Sequence, residues 1–353
     1  MSFPVTCCWT AQSKNSSMPG TDSQNKPDIV CLDLVNLVDF RTILTVLEVK
    51  SSTIMKSEIF QLCTQHTHLI FSSQDTHHFV VTSLLHRDEQ TIVLFNWGGS
   101  IVCSPFNIHK EPDTFVCFIL GFLCTAPPHL GYNPSVWAGT TCNLMFCHLQ
   151  LHIKFTLFIS IQIHGHGTVI WLAEVGPQSD LANIWPEIGL KDGDPVVIKT
   201  TWVDDSGAIT EGIVLSLLVS KGAQGAPVLI CEDFVLQPCD GEQPNGTTHL
   251  RGHLGFGAKE AKVSDGNIQL SKEAIKDFPR ESMACMEGFV PCTPVQMHSK
   301  PWGTPITCFR SACELLGIII NILMSRSILE QWHLYSPLFF SSSAGLKQLQ
   351  CHP

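Results

Sequence analysis

Nine residues constrain this chain more than any others: Asp194-Pro195-Val196-Val197-Ile198-Lys199-Thr200-Thr201-Trp202. A β-branched run ending in lysine predicts a buried strand that carries an amine at its rim. Residues 209–219 then predict a helix, with Glu211 in its first turn, twelve positions after Lys199. The positive end of the helix dipole favours a carboxylate there. The pair is therefore predicted to meet, with nitrogen and oxygen within about 4 Å. A lysine at a strand end is more commonly just solvated, so the flanking segments decide how much weight the pair carries.

Upstream lies Gln162-Ile163-His164-Gly165-His166-Gly167-Thr168-Val169-Ile170-Trp171. Glycines one residue apart between β-branched neighbours suit a turn whose backbone approaches a phosphate, although an ordinary hairpin turn reads the same way. Downstream, Gly225-Ala226-Pro227-Val228-Leu229-Ile230-Cys231 predicts a further strand. The order is glycine turn, strand lysine, helix glutamate, strand. A strand lysine on nucleotide phosphates, held by a helix glutamate, is how protein kinases position ATP.

Further segments make the likeness more specific. Trp97-Gly98-Gly99-Ser100 with Ser104-Pro105-Phe106-Asn107-Ile108-His109, then His129-Leu130-Gly131-Tyr132-Asn133-Pro134, precede the lysine strand. Gly303-Thr304-Pro305-Ile306, Phe309-Arg310-Ser311 and Glu314-Leu315-Leu316 follow it. As an ordered set, patchy from about 27 to 324, they resemble the fungal-type protein kinase domain family. The resemblance implies a kinase-like N-terminal lobe with ATP and Mg²⁺ as cofactors. It carries over to Gly165, Gly167, Lys199 and Glu211 as cofactor-binding residues. The family then proceeds to an H-R-D loop and a D-F-G-like magnesium site. Neither follows residue 324, so the reading assigns no catalytic residue and expects nucleotide binding to be weak or absent. A kinase needs one aspartate to accept the hydroxyl proton and another to hold magnesium. His86-Arg87-Asp88 spells the loop but precedes Lys199 in a strand-rich region. Asp277-Phe278 is followed by Pro279, and Ser264-Asp265-Gly266-Asn267 is a turn sequence.

The first part of the chain carries a separate pattern. Pro27-Asp28-Ile29-Val30-Cys31-Leu32 reads as one strand, residues 42–50 as a second, and residues 57–66 as a helix. Pro-Asp followed by Glu48-Val49-Lys50 resembles the PD-(D/E)xK nuclease fold. That resemblance implies Asp28 and Glu48 as metal ligands with Lys50 beside them. Glu48 and Lys50 are two apart on a strand and so share a face. The ordinary alternative is a charged strand rim. The fold also wants a helix ahead of its first strand, and residues 1–26 offer none.

Composition bounds the remainder. The chain has 353 residues, 44% of them hydrophobic, with a formal net charge of −10. That charge disfavours a nucleic-acid or anionic-membrane partner. Sixteen cysteines without a C-x-x-C pair suit reduced thiols and an intracellular setting. Cys63, His66 and His68 suggest a metal set, but no second ligand pair follows at finger spacing. The apolar runs at 115–124 and 315–324 are too short to span a bilayer and read as buried helices. Residues 144–163 approach spanning length, but polar residues spread through them.

The fold class is α+β: a kinase-like N-terminal lobe preceded by a small mixed α/β domain of restriction-endonuclease-like type. The expected division is a disordered 1–26, an accessory domain at 27–137, an anomalous apolar insertion at 138–162, the lobe with its first linking helices at 163–324, and an unstructured tail at 325–353. Function classes compete: an ATP-dependent protein phosphotransferase, a non-catalytic kinase-derived binding module, and a nuclease-derived module. A protein substrate or partner is not legible.

Overall fold

The computed structural model describes residues 7–12, 18–20, 26–33, 38–51, 56–138, 142–146, 149–160, 166–177, 189–204, 210–223, 226–236, 244–247, 259–262, 284–287 and 292–300. The first sheet contains β1 (Cys7–Thr10), β2 (Ile29–Asp33), β3 (Ile43–Lys50), β4 (Phe79–His86), β5 (Glu89–Asn96), β6 (Gly99–Val102) and β7 (Phe106–Asn107). Their order is β1-β2-β3-β4-β5-β6, with β7 pairing β5. Helix α1 (Lys56–Ser73) carries the chain from β3 to β4, which run parallel. A parallel pair needs such a crossover, and a helix supplies it.

Burial explains why β3 is an almost unbroken apolar run. Val30, Leu32, Ile43 and Val46 pack with Ile70 and Phe71 of α1, on one face. Cys31 and Leu44 pack on the other with Phe122 of helix α2 (Pro112–Cys124). A strand covered on both faces has no polar side to alternate with.

The second sheet begins with β8 (Val136–Ala138), β9 (Cys142–Phe146), β10 (Leu149–Ile159), β11 (Val169–Val175) and β12 (Pro195–Asp204). Helix α3 (Glu211–Ser220) and strand β13 (Val228–Phe234) follow. Next come β14 (Lys259–Lys262) and β15 (Ala284–Glu287), a parallel pair of their own, and then β16 (Cys292–Lys300). The spatial order is β13-β16-β12-β11-β10-β9-β8. Within β12 the even positions 196, 198, 200 and 202 are buried and the odd ones are partly open. This is the period of two of a β-strand, in which successive side chains point to opposite faces.

The two sheets share a core. Trp202 from β12 and Cys292 from β16 enter the apolar cluster of the first sheet beside Trp97. Polar bonds reinforce the junction. Asp75, just after α1, accepts from Trp171 Nε1 at 2.6 Å and from the Thr156 hydroxyl. His78 and Asn245 meet at 3.0 Å, and Gln296 Nε2 donates to Ser135 Oγ at 3.2 Å.

Several expectations need correction. Residues 7–10, expected to be disordered, form an edge strand paired antiparallel with β2. Cys7 and Trp9 hold it by burying against α2. Within 138–162, expected to be an anomalous insertion, Cys142–Phe146 and Leu149–Ile159 form strands β9 and β10 of the second sheet. The second sheet therefore begins at Val136, ahead of the expected boundary at 163. Helix α2 buries only Phe122 fully and leaves Val116 and Leu120 exposed, so it is a surface helix. Among the described residues no helix is long and apolar enough to cross a membrane. The 315–324 segment, the 325–353 tail, Asp277-Phe278 and residues 264–267 lie outside the described residues.

Candidate functional site

Lys199 lies at the centre of β12 on its partly open face. Across the ladder its neighbour on β16 is Met297, and the next neighbour on β13 is Glu232. Side chains at paired positions of adjacent strands share a face. Lysine, methionine and glutamate thus form a row across the front of the sheet. Leu215 and Leu218 of α3 pack on Met297. This contact lays the helix over the row, with its first turn between the two charged ends.

The first turn is fixed by hydrogen bonds. Thr210 is the N-cap, its hydroxyl accepting from Ile213 N at 3.4 Å. Lys199 Nζ pairs with Glu211 Oε2, as the strand–helix spacing predicts. The lysine side chain is 25% exposed and the glutamate 39%, so the pair sits at the edge of solvent. It presents a positive group that a ligand can reach.

The glycine turn divides. Gly165 lies outside the described residues. Gly167 has φ +44° and is buried against the rings of Trp97 and Trp202, where a Cβ would collide with both. Trp202 belongs to the face of β12 opposite Lys199. The structure accounts for Gly167 by this close packing and does not place it beside the lysine.

The second cluster lies on the first sheet. Strands β2 and β3 pair antiparallel as predicted, with Ile29 opposite Leu47, which sets Asp28 beside Glu48. Lys50 Nζ donates to Asp28 Oδ2 at 3.0 Å and to Glu48 Oε2 at 2.7 Å. Val49 N donates to Asp28 Oδ2 at 2.9 Å, and Asp28 N reaches Glu48 Oε1 at 3.3 Å. His66, from α1, closes the cluster with Nε2 at 2.9 Å from Glu48 Oε1. An ionised carboxylate only accepts, so Nε2 carries the proton of that bond.

Burial by itself would raise the Glu48 pKa. The hydrogen bonds and charges of His66 and Lys50 outweigh it and hold the carboxyl at about 2. Burial likewise opposes the charge on Lys50, but its bonds to Glu48 and Asp28 leave its pKa above the ordinary lysine value. The carboxylates and Lys50 satisfy one another, while His66 Nδ1 is buried without a hydrogen-bond partner among the described residues.

Two residues escaped the sequence reading. His66 falls in the Cys63, His66, His68 set, but it bonds to Glu48 rather than to its helix neighbours. No group of three metal-ligating side chains occurs among the described residues. Glu232 had no signal at all, because its contacts lie 20 and 22 positions away. Asp88 of the misleading His86-Arg87-Asp88 run sits in the β4–β5 turn, its carboxylate accepting from Asn107 Nδ2 at 2.6 Å. It anchors β7 and has no contact with the lysine row.

The sequence model described as fungal protein kinase matches residues 28–332. No curated protein and no solved structure matches the chain.

Proposed function

This chain belongs to the fungal protein kinase family, and from that premise we propose that its second sheet is a nucleotide-phosphate-positioning lobe that does not itself transfer phosphate. The observation that carries the reading is the Lys199–Glu211 pair on a strand and a helix first turn. Phosphoryl transfer relies on positioning and charge stabilisation, and a lysine held by a glutamate supplies the first. Of the cofactor set that the resemblance implies, Lys199 and Glu211 carry this reading, because Gly167 packs on Trp97 and Trp202 at the opposite face of β12. Bound ATP would bring the phosphates that Lys199 neutralises. The chemistry stops there in these 353 residues, because no H-R-D or D-F-G run follows Lys199. Without one aspartate to accept the hydroxyl proton and another to hold magnesium, the positioning has no transfer step to serve. Beside Lys199 the described carboxylates, Glu211 and Glu232, are each engaged by protein donors, so no step is derived through magnesium.

Calorimetry with Mg-ATP on the full chain tests this. A dissociation constant weaker than about 1 mM, near −4 kcal/mol, is expected. The residual heat should disappear in Lys199→Met. Micromolar affinity, or binding indifferent to Lys199→Met, overturns the reading. So does labelled phosphate incorporation that the substitution abolishes.

A second reading concerns residues 27–137. The gathering of Asp28, Glu48 and Lys50 at the paired ends of β2 and β3 favours descent from a PD-(D/E)xK nuclease. Both Glu48 oxygens and one of Asp28 already accept from Lys50, His66 or backbone N–H groups. A divalent ion would have to displace Lys50, so the residues as arranged do not fit one. The reading is of a retained fold without cleavage. Plasmid DNA incubated with the chain and Mg²⁺ or Mn²⁺ should remain uncut. Cleavage abolished by Lys50→Ala would reverse this.

A further inference from the structure

We infer that Glu232 is the residue that positions Glu211 against Lys199, making the ion pair a property of a three-strand row rather than of the helix alone. Glu232 Oε1 accepts from Gly212 N at 2.9 Å, and its Oε2 accepts from the Thr210 hydroxyl at 2.5 Å. These donors flank Glu211 on both sides in sequence. The free N–H groups of a helix first turn seek acceptors, and a carboxylate is the strongest a side chain offers. Glu232 therefore grips α3 from β13 while Lys199 grips it from β12, with Met297 between them. Gly212 belongs to the same device. A Cβ at that position would collide with both carboxylate oxygens of Glu232. Glycine is disfavoured inside a helix, and here it opens the space through which a neighbouring strand reaches the helix backbone.

The role is positional. Glu232 acts through Glu211: it bonds to Thr210 and Gly212, and Lys199 pairs with Glu211. Its relevance to nucleotide phosphates rests on the lobe reading above, so its test uses no nucleotide.

The experiment is competitive acetylation of the full chain at pH 8 with trace acetic anhydride, read per lysine by mass spectrometry. Lys154, paired with Glu174 at 2.7 Å elsewhere on the sheet, is the internal control. Glu211→Gln sets the value for an unpaired Lys199. Glu232→Ala is expected to raise Lys199 labelling at least threefold, close to that value, and to leave Lys154 unchanged. Glu232→Gln, which can still accept from Gly212 N, should stay within twofold of the parent. A purely structural role would lower thermal stability without selectively moving Lys199. Should Glu232→Ala fail to fold, Gly212→Ala displaces the carboxylate while favouring the helix, and the same rise is expected. Unchanged Lys199 labelling in the folded variant, with Glu211→Gln raised, overturns the proposal. Failure of Mg-ATP to bind leaves it intact.

Discussion

Lys50 and Lys199 each stand on a strand beside a glutamate, yet they occupy opposite electrostatic situations. Lys50 is shared between two carboxylates, and one of them, Glu48, is buried and also bonded to a buried histidine. Lys199 has one carboxylate partner at the solvent edge. A buried ion whose neighbours satisfy one another is expensive to disturb and has little to offer a ligand. A partly exposed lysine held by a single glutamate can exchange part of its hydration for a phosphate at low cost. Similar residue types thus make a structural knot in one sheet and an available cation in the other.

The largest expected effect is that of acid, and it bypasses both lysines. Burial lowers the pKa of His77 to about 4 and those of His78 and His298 to about 3. His77 faces Gln74 and the Phe79 carbonyl, while His78 faces Asn245 and the Trp202 ring. The unfolded chain takes up these protons near pH 6.5 and the folded chain does not. Stability is therefore intact above about pH 6.5 and falls as pH drops toward the folded values. From pH 7 to 5 each histidine should cost roughly 2 kcal/mol. Three together remove much of a typical stability of about 5–15 kcal/mol. Glu48, held at about 2, should keep the Lys50 cluster charged throughout that window. Urea titrations at pH 7, 6 and 5 measure this. A flat profile would show that water reaches these histidines.

Next is Lys50→Ala. It removes the lysine charge from Glu48 and Asp28 and leaves them His66 and backbone N–H donors, which should cost about 3–5 kcal/mol. A shift in urea midpoint corresponding to less than about 1 kcal/mol would put Lys50 in the same class as Lys199 and dissolve the contrast. A smaller effect is expected from Trp171→Phe. It removes the indole donor to Asp75, leaving the Thr156 hydroxyl there. The loss should be about 1–2 kcal/mol. It should fall equally on tryptophan fluorescence of the second sheet and on far-ultraviolet dichroism, because the sheets share a core. Separate transitions would mean that they unfold independently.

How much of this could be read in advance follows from the range of each interaction. The strands around Asp28 and Glu48 and the helix behind Glu211 were legible. A β-branched run, a helix first turn and the spacing of Glu48 and Lys50 are local. Strand β1 was not, because Cys7, Cys8 and Trp9, near Ser, Asn and Gln, become part of a strand only beside Cys31 and under Phe122. Residues 144–163 were ambiguous for another reason. An apolar run this length suits a helix or two strands, and the choice is made by pairing with β11. His66 and Glu232 act across the fold, on partners far away in sequence. Gly167 was read as a phosphate turn, but its neighbours are Trp97 and Trp202, which only tertiary packing brings there.

The smallest predicted effect bears most directly on the lobe. Lys199→Met should lower stability by less than about 1 kcal/mol. Its partner Glu211 is exposed enough to hydrate once the lysine is gone. Helix α3 should stay in place, since Thr210 caps it, Glu232 holds Gly212, and Leu215 and Leu218 remain on Met297. Methionine also keeps the aliphatic stem of the lysine against the sheet. The check is a urea titration at pH 7 with an unchanged slope and a midpoint shift at the edge of detection. A loss of about 3 kcal/mol or more would mean that Lys199, like Lys50, neutralises a carboxylate the fold cannot otherwise hold. A lysine committed in that way could not turn toward a phosphate without unfolding the helix beside it.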